Sequence, residues 1–328
     1  MSLLAIADLA VEIRDDEGVY RELVSGVSLQ IGQGETLGLV GESGCGKSLT
    51  AMSILDLLPK PQARRSRGSI QFQSQALDAL DVNAMARLRG RQIAVIFQDP
   101  MSALNPVHRI GKQIGEALAL HFPEMSQGQR RARVIELLAE VGIPAPEDRV
   151  DAYPHELSGG MRQRVMIALA LSCEPTMLIA DEPTTALDVT IQAQIVQLLK
   201  RLQYERGMAM LFITHDLALV SQLSDRIAVM YAGQVVEQNH SAALFSTPRH
   251  PYTKGLLGAL PGAGHPPKSP LRSLEGQVPS ASEMPAGCRF ANRCHRADER
   301  CRQENPPLTP ADETSGWVAC HHWRELQA

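Results

Sequence analysis

Gly41, Gly46, Lys47 and Ser48 fall in the spacing Gly-x4-Gly-Lys-Ser within GESGCGKS, just after the apolar run 36–39. Glycines at a strand-to-helix turn let successive backbone N–H groups converge on phosphate oxygens, and a helix N-terminus adds positive potential. The lysine brings a point charge to the outer phosphates, and the serine hydroxyl can ligate Mg²⁺. Gly41, Ser43, Gly44, Cys45, Gly46, Lys47, Ser48 and Leu49 are therefore expected to hold a nucleoside triphosphate. Cys45 offers its backbone N–H, and its place near Lys47 and a helix start is expected to favour the thiolate.

Three further groups suit the same chemistry. Asp181-Glu182 ends the apolar run 177–180, so Asp181 can hold Mg²⁺ through water while Glu182 polarises an attacking water. Ser158-Gly159-Gly160 opens a second anion-binding helix, with Ser158 as N-cap and the glycines allowing close backbone approach. His215 follows the strand pattern 210–214; strand ends of a parallel sheet converge on one crevice, where His215 can donate to the terminal phosphate. One triphosphate does not easily occupy two helix starts of a compact chain. The simplest arrangement is a dimer in which each Ser158 loop closes over the other chain's nucleotide. Tyr20, between the first two strand patterns, is a candidate for stacking on the base, or else a strand-edge aromatic.

The elements that must position these groups follow from periodicity. Residues 3–13 and 23–31 read as antiparallel strands before the strand that ends at the glycine loop. A helix is expected over 49–58, ended by Pro59 and Pro61, then a short strand over 69–72 and a buried strand over 93–97 that delivers Gln98. From about 103 to 173 the spacing is helical, with helices over 110–120, 129–141 and 165–172. Strands resume over 177–180 and 210–214, separated by a helix over 191–205. Residues 226–231 and 234–237 form a hairpin around Ala232-Gly233.

Beyond about Leu244 the composition changes: more than half of the prolines and four of the six cysteines lie there. We therefore divide the chain into a domain at 1–245 and a loop-rich extension at 246–328, too poor in apolar pattern to fold on its core alone. Cys288, Cys294, Cys301 and Cys320 are spaced C-x5-C-x6-C-x18-C, without the C-x2-C pairs of common zinc sites. Four thiols still suit tetrathiolate zinc or an Fe–S cluster, with His321 and His322 as substitute ligands; disulfides or free thiols are the alternative.

Composition excludes several classes. At 328 residues, 44% hydrophobic and 21% charged, the chain is an ordinary globular protein. A net charge of -4 argues against nucleic acid as partner. The N-terminus lacks the basic start of a signal peptide, and no apolar run nears the roughly 18–20 residues of a membrane span. A cytoplasmic location is expected, with docking on a membrane protein left open.

Taken in order, GESGCGKS (41–48), Gln98, LSGGMRQR (157–164), LIADEP (178–183), Ala186-Leu187-Asp188 and Thr214-His215-Asp216 resemble the motifs of ABC-transporter ATP-binding subunits. They match Walker A, Q-loop, signature, Walker B, D-loop and H-loop, over residues 3 to about 240. The resemblance implies an α/β P-loop (RecA-like) nucleotide-binding domain with an antiparallel β subdomain and a helical subdomain at about 103–173, followed by a small metal-binding extension. It implies two ATP molecules sandwiched head to tail, with Glu182 as base and His215 and Gln98 beside it. Ser48, Gln98 and Asp181 would serve Mg²⁺, Gln98 would also couple to a transmembrane subunit, and Asp188 would cross the dimer interface. Met161 departs from the commonest signature residue, glutamine, at a position that does not ligate phosphate.

The His250-Pro251-Tyr252 segment, with YPHELSGGMRQRVMIALAL and ADEPTTALDVTIQAQI, is similar to the D-type ATPase of dipeptide and oligopeptide permeases. That similarity implies a sister ATPase as heterodimer partner, two membrane permeases, a periplasmic or lipid-anchored peptide-binding protein, and a peripheral place on the cytoplasmic face of the inner membrane. It also implies a [4Fe-4S] cluster on Cys288, Cys294, Cys301 and Cys320, with zinc as the alternative. Related importers of nickel, opines or antimicrobial peptides fit the same motifs. A soluble ABC protein of DNA repair or translation fits less well, since no long coiled coil or duplicated cassette is present. A non-hydrolysing ATP-binding module is disfavoured by Glu182 and His215.

Overall fold

The computed structural model describes residues 2–99, 103–185, 187–260, 274–311 and 316–325. Two compact units emerge: Met1–Gly32, Thr36–Asp78 and Ile213–Ala328 form one, and Gln33–Glu35 with Ala79–Phe212 the other. Ala186, which belongs to a motif quoted above, lies outside the described residues.

The first unit contains two sets of strands. β1 (Ser2–Arg14), β2 (Tyr20–Gly32), β4 (Ala63–Phe72) and β5 (Gln75–Ala76) form an antiparallel sheet in the order β2-β1-β4-β5. β4 begins six residues before the expected strand at 69. Its run of arginines hides the pattern, yet they pair across the sheet: Arg64 with Glu12 at 2.8 Å and Arg67 with Asp8 at 2.7 Å. The second set centres on β3 (Thr36–Val40), buried at every position, as its apolar run demands of a strand covered on both faces. β3 lies parallel to β9 (Arg226–Tyr231), which pairs with β10 (Gln234–His240); β12 (Trp317–Val318) and β11 (Thr309–Pro310) continue beyond β10. The proline-rich C-terminal segment thus extends the sheet.

Helix α1 (Lys47–Ile54) stops four residues earlier than its periodicity suggests. Asp56 takes a left-handed φ of 51°. The Asp56 and Leu57 N–H groups then reach back to the Ser53 and Met52 carbonyls at 3.4 and 2.9 Å, a Schellman closure that ends the helix before either proline. The hairpin tip Ala232-Gly233 falls where expected, with φ of 44° and 83°, the twist of a two-residue turn between antiparallel strands.

The second unit carries β6 (Ile93–Ile96), β7 (Met177–Asp181) and residues 209–212 of β8 (Ala209–Thr214), in the order β8-β7-β6, with β6 and β7 parallel. Helix α2 (Val82–Leu88), absent from the sequence reading, is capped by Asp81, which accepts from the Ala84 N–H at 2.7 Å. The helical stretch resolves into α3 (Ile110–His121), α4 (Gln127–Glu140), the one-turn α5 (Pro146–Arg149) and α6 (Gly159–Leu171). A Ser126/Gln129 capping box starts α4 two residues before its first expected helical residue. Helix α7 (Val189–Arg206) runs from an Asp188 cap to Gly207, left-handed at φ 60°.

Leu39 in β3 is completely buried. Leu39→Ala is expected to lower the unfolding free energy by about 2–5 kcal/mol in a denaturant titration; a loss under about 1 kcal/mol would show that this strand is not core.

Candidate nucleotide site

The glycine loop is shaped by what surrounds it. A Cβ on Gly41 would run into the Met230 carbonyl oxygen and Cys45 Sγ, so only glycine lets the chain leave β3 here. Gly46 caps α1 at φ 98° with no side-chain acceptor, which leaves the first N–H groups of the helix for an anion. Lys47 is 4% exposed, and its ammonium donates to the Gly41 and Glu42 carbonyls at 2.8 and 3.0 Å. Ser43 and Gly44 are exposed at the mouth of the loop, and Ser48 and Leu49 are half-buried in the first turn of α1. Behind the loop, the Gly233 N–H donates to the Cys45 carbonyl at 2.9 Å, so the hairpin tip braces it.

The expected Cys45 thiolate is corrected by this packing. The thiol is fully buried, and desolvation pushes its pKa up despite the nearby Lys47 charge. Lys47 Nζ lies 3.9 Å from Sγ but is committed to carbonyls. Cys45 therefore serves as a small apolar residue. Tyr20 opens β2; its hydroxyl donates to the Pro61 carbonyl at 2.7 Å, and the Arg64 guanidinium covers one ring face at 3.9 Å. His215 is exposed directly after β8, as its sequence position suggests. Asp216, next to it, caps helix α8 (Leu217–Leu223) through the Ala218 and Leu219 N–H groups.

The second unit brings two of the expected site residues together. Gln98 Nε2 donates to Glu182 Oε2 at 3.1 Å, and the Thr185 hydroxyl donates to the same oxygen at 3.0 Å. Glu182 has a left-handed φ of 46°, an uncommon conformation for a residue with a Cβ and one often found at functional positions. Asp181, immediately before it, is the buried last residue of β7. The amide and carboxylate thus share one point at the ends of neighbouring strands β6 and β7, a suitable arrangement for orienting a water. Thr185 was not recognised in the sequence; a hydroxyl three residues after the carboxylate was the available signal.

Ser158 caps α6 as expected, accepting from the Met161 N–H at 3.3 Å. Ser158 and Gly159 are exposed, so the N-terminus of α6 is open to an outside ligand. A Cβ on Gly160 would press on Ile191 of α7, so this glycine admits close helix packing. Asp188 is exposed and caps α7 through the Ile191 N–H at 2.9 Å.

The four late cysteines, far apart in sequence, line one cavity together with Phe290 and His322. The Cys288 N–H donates to the Cys301 carbonyl at 2.8 Å, closing the segment into a loop. Burial raises all four thiol pKa values, with Cys288 and Cys320 pushed up to about 11. His322 Nε2 lies 3.0 Å from Asp298, which also caps helix α9 (Glu299–Gln303) and whose pKa is held down to about 2, chiefly by the Cys301 N–H. Asp298, Cys301 and His322 offer three potential metal-ligand atoms within 4.8 Å of one another. His321 lines the same cavity, with Nε2 3.1 Å from the Glu304 carbonyl oxygen.

Residues 24–185 match the family model "ABC transporter", and residues 236–301 match "Oligopeptide/dipeptide transporter, C-terminal region". Across 321 residues the chain is 50% identical to the dipeptide transport ATP-binding protein DppD of Haemophilus influenzae, covering 98% of this chain and 96% of that one. The chain belongs to the ABC transporter ATP-binding family. DppD of Escherichia coli K12 is 49% identical over 308 residues, covering 94% of this chain and 93% of that protein. Among solved structures, the dimeric post-hydrolysis state of the ATP-binding cassette MJ0796 bound to ADP and Pi superposes with a TM-score of 0.65 at 28% identity. It covers 73% of this chain and 98% of that one.

Burial of Cys45 has a direct chemical consequence. In the native protein at pH 7, alkylation of Cys45 by iodoacetamide, followed by mass spectrometry, is expected to be at least about tenfold slower than that of a free exposed thiol. Labelling at the free-thiol rate would contradict the buried, protonated assignment.

Proposed function

We propose that this chain is the ATP-hydrolysing subunit of a bacterial importer of dipeptides or oligopeptides. The observation that carries the hydrolytic part is the Gln98–Glu182 contact, because it joins the proposed water-orienting amide to the proposed base. The family identity and the dipeptide-transport names of the relatives support the substrate class. In this reading Gly41, Ser43, Gly44, Cys45 through its backbone N–H, Gly46, Lys47, Ser48 and Leu49 hold the phosphates and Tyr20 meets the base. Ser48, Gln98 and Asp181 serve Mg²⁺, which offsets phosphate charge, and His215 donates to the terminal phosphate. Rate enhancement comes mainly from positioning and charge stabilisation.

The exposed Ser158-Gly159 helix start supports a composite site, closed by Ser158, Gly159, Gly160 and Asp188 of a second cassette. We propose a sister ATPase as that partner, two permeases in the membrane, and a periplasmic or lipid-anchored peptide-binding protein. The assembly places the chain on the cytoplasmic face of the inner membrane. Among the described residues no helix is long and apolar enough to cross a membrane.

For Cys288, Cys294, Cys301 and Cys320 we propose a [4Fe-4S] cluster that ties the proline-rich segment together. Tetrahedral zinc at about 2.3 Å from each thiolate would bring the sulfurs to about 3.8 Å of one another. Among the described residues no three of the four thiols lie mutually within 4.8 Å, although all four line one cavity. What supports a group held by all four thiols is the one cavity they share. The buried thiols must lose their protons to bind it.

Two measurements test these readings. Glu182→Gln is expected to lower steady-state ATP hydrolysis at least about 100-fold while ATP remains bound; unchanged turnover would remove Glu182 as the base. Anaerobically purified protein is expected to contain about four irons per chain with broad absorption near ~400 nm; stoichiometric zinc without iron would refute the cluster.

A further inference from the structure

Glu42, the second residue of the glycine loop, is held at three points. Its backbone N–H donates to the Tyr252 hydroxyl at 3.0 Å. Its carboxylate receives both terminal nitrogens of Arg293, at 2.6 and 3.0 Å. Its carbonyl accepts from Lys47 Nζ at 3.0 Å. The first two partners come from the C-terminal segment. Tyr252 belongs to the His-Pro-Tyr motif, and Arg293 directly precedes Cys294.

The surroundings make this a firm attachment. The Arg293 side chain is only 5% exposed, and its Nε donates to the Glu275 carbonyl at 2.8 Å. A bidentate guanidinium–carboxylate pair fixes direction as well as distance, and a charge this buried does not leave its partner at low cost. Tyr252 is fully buried, with Tyr231 and Phe290 at ring-centroid distances of 4.7 and 5.5 Å. Phe290 also lines the thiol cavity. A parallel contact comes from Arg289, the neighbour of Cys288. It donates to the Leu23 carbonyl at 3.1 Å and to the Ala232 carbonyl, at the hairpin tip that braces Cys45.

We propose that Arg293 and Tyr252 are positioning residues for the phosphate loop, and that Arg293 transmits the metal-loaded or empty state of the four cysteines to nucleotide affinity. The proposal rests on the reading that those cysteines hold a metal group. The turn carrying Arg293 runs from Cys288 to Cys294, so ligation at both ends closes a short loop and restricts where the guanidinium can lie. Tyr252 accepts the Glu42 N–H and so keeps it out of the phosphate cradle, and with Arg293 it holds the Glu42 carbonyl toward Lys47. Lys47 thereby waits in a defined place for the phosphates. Emptying the cysteine cavity frees the turn, loosens Glu42, and lets the loop sample conformations that bind ATP poorly.

The test uses the full chain, purified anaerobically with its metal content measured. MgATP affinity is read by competition against a fluorescent ATP analogue. Metal removal by a chelator is expected to weaken wild-type affinity about tenfold. Arg293→Gln is expected to keep its metal and bind ATP about tenfold more weakly. Emptying that variant should change affinity less than about twofold further, because both changes act through one contact. Its KM for ATP should rise while kcat stays within about twofold, as expected for lost positioning rather than lost chemistry. Arg293→Lys should recover part of the affinity. Tyr252→Phe, which deletes one oxygen, should weaken binding in the metal-loaded protein without altering the melting temperature by more than about 4 °C. Equal affinity in loaded and empty wild type overturns this inference alone, as do independent losses that multiply in emptied Arg293→Gln. A preparation that never contains stoichiometric metal overturns the metal reading and, with it, the proposed transmission. Wild-type affinity in both Arg293→Gln and Tyr252→Phe overturns the positioning role.

Discussion

A buried ammonium must be surrounded by acceptors, and the first unit is built around meeting that demand for Lys47. Its acceptors include the Gly41 and Glu42 carbonyls. They can turn inward only because Gly41 has no Cβ to meet Met230 of β9. β3 delivers the loop, β9 stands beside it, and the tip between β9 and β10 bonds to the loop's back through Gly233. A phosphate that reaches this loop offers the ammonium stronger acceptors than two carbonyls, and meets helix N–H groups that no side chain has capped. The loop holds a cation where an anion is to bind.

The second unit satisfies a different constraint. A carboxylate acting as base must be oriented without being neutralised, and Glu182 Oε2 accepts from the Gln98 amide and the Thr185 hydroxyl. Its left-handed backbone turns the side chain out of the direction that β7 would impose. Ser158 and Asp188 look alike locally, each capping a helix with an acceptor three residues before the N–H it receives. Both helix starts are exposed, and the solved MJ0796 cassette that the chain resembles is dimeric.

Legibility in the sequence followed the range of the interactions. The buried strands β3, β6, β7 and β8 were readable because burial on both faces writes a continuous apolar run. Glycine-loop geometry was readable because glycine and lysine at fixed spacing have few other uses. Helix ends were less so: α1 closes at Asp56 through backbone bonds that leave no mark in the side-chain pattern, ahead of Pro59 and Pro61. β4 runs further back than its pattern because Arg64 and Arg67 are satisfied by acids more than 50 residues away. The Cys45 thiolate was misjudged for a related reason, since proximity to Lys47 is local but burial is a property of the whole packing. Glu42, Tyr252 and Arg293 lie more than 200 residues apart at the extremes. No pattern within either segment could indicate that they touch.

The C-terminal segment gains a mechanical meaning from these contacts. Its sequence is poor in apolar pattern, yet β12 extends the sheet beyond β10 and Tyr252 and Phe290 pack on Tyr231. The central claim is that this cassette drives peptide import with ATP held by the Lys47 loop. It is tested most directly by uptake of a radiolabelled dipeptide into cells lacking the chain, complemented with wild type or with Lys47→Ala expressed to equal levels. The account predicts that wild type restores uptake and Lys47→Ala leaves it at the level of the deletion. Equal uptake with either gene, or none lost on deletion, would contradict it.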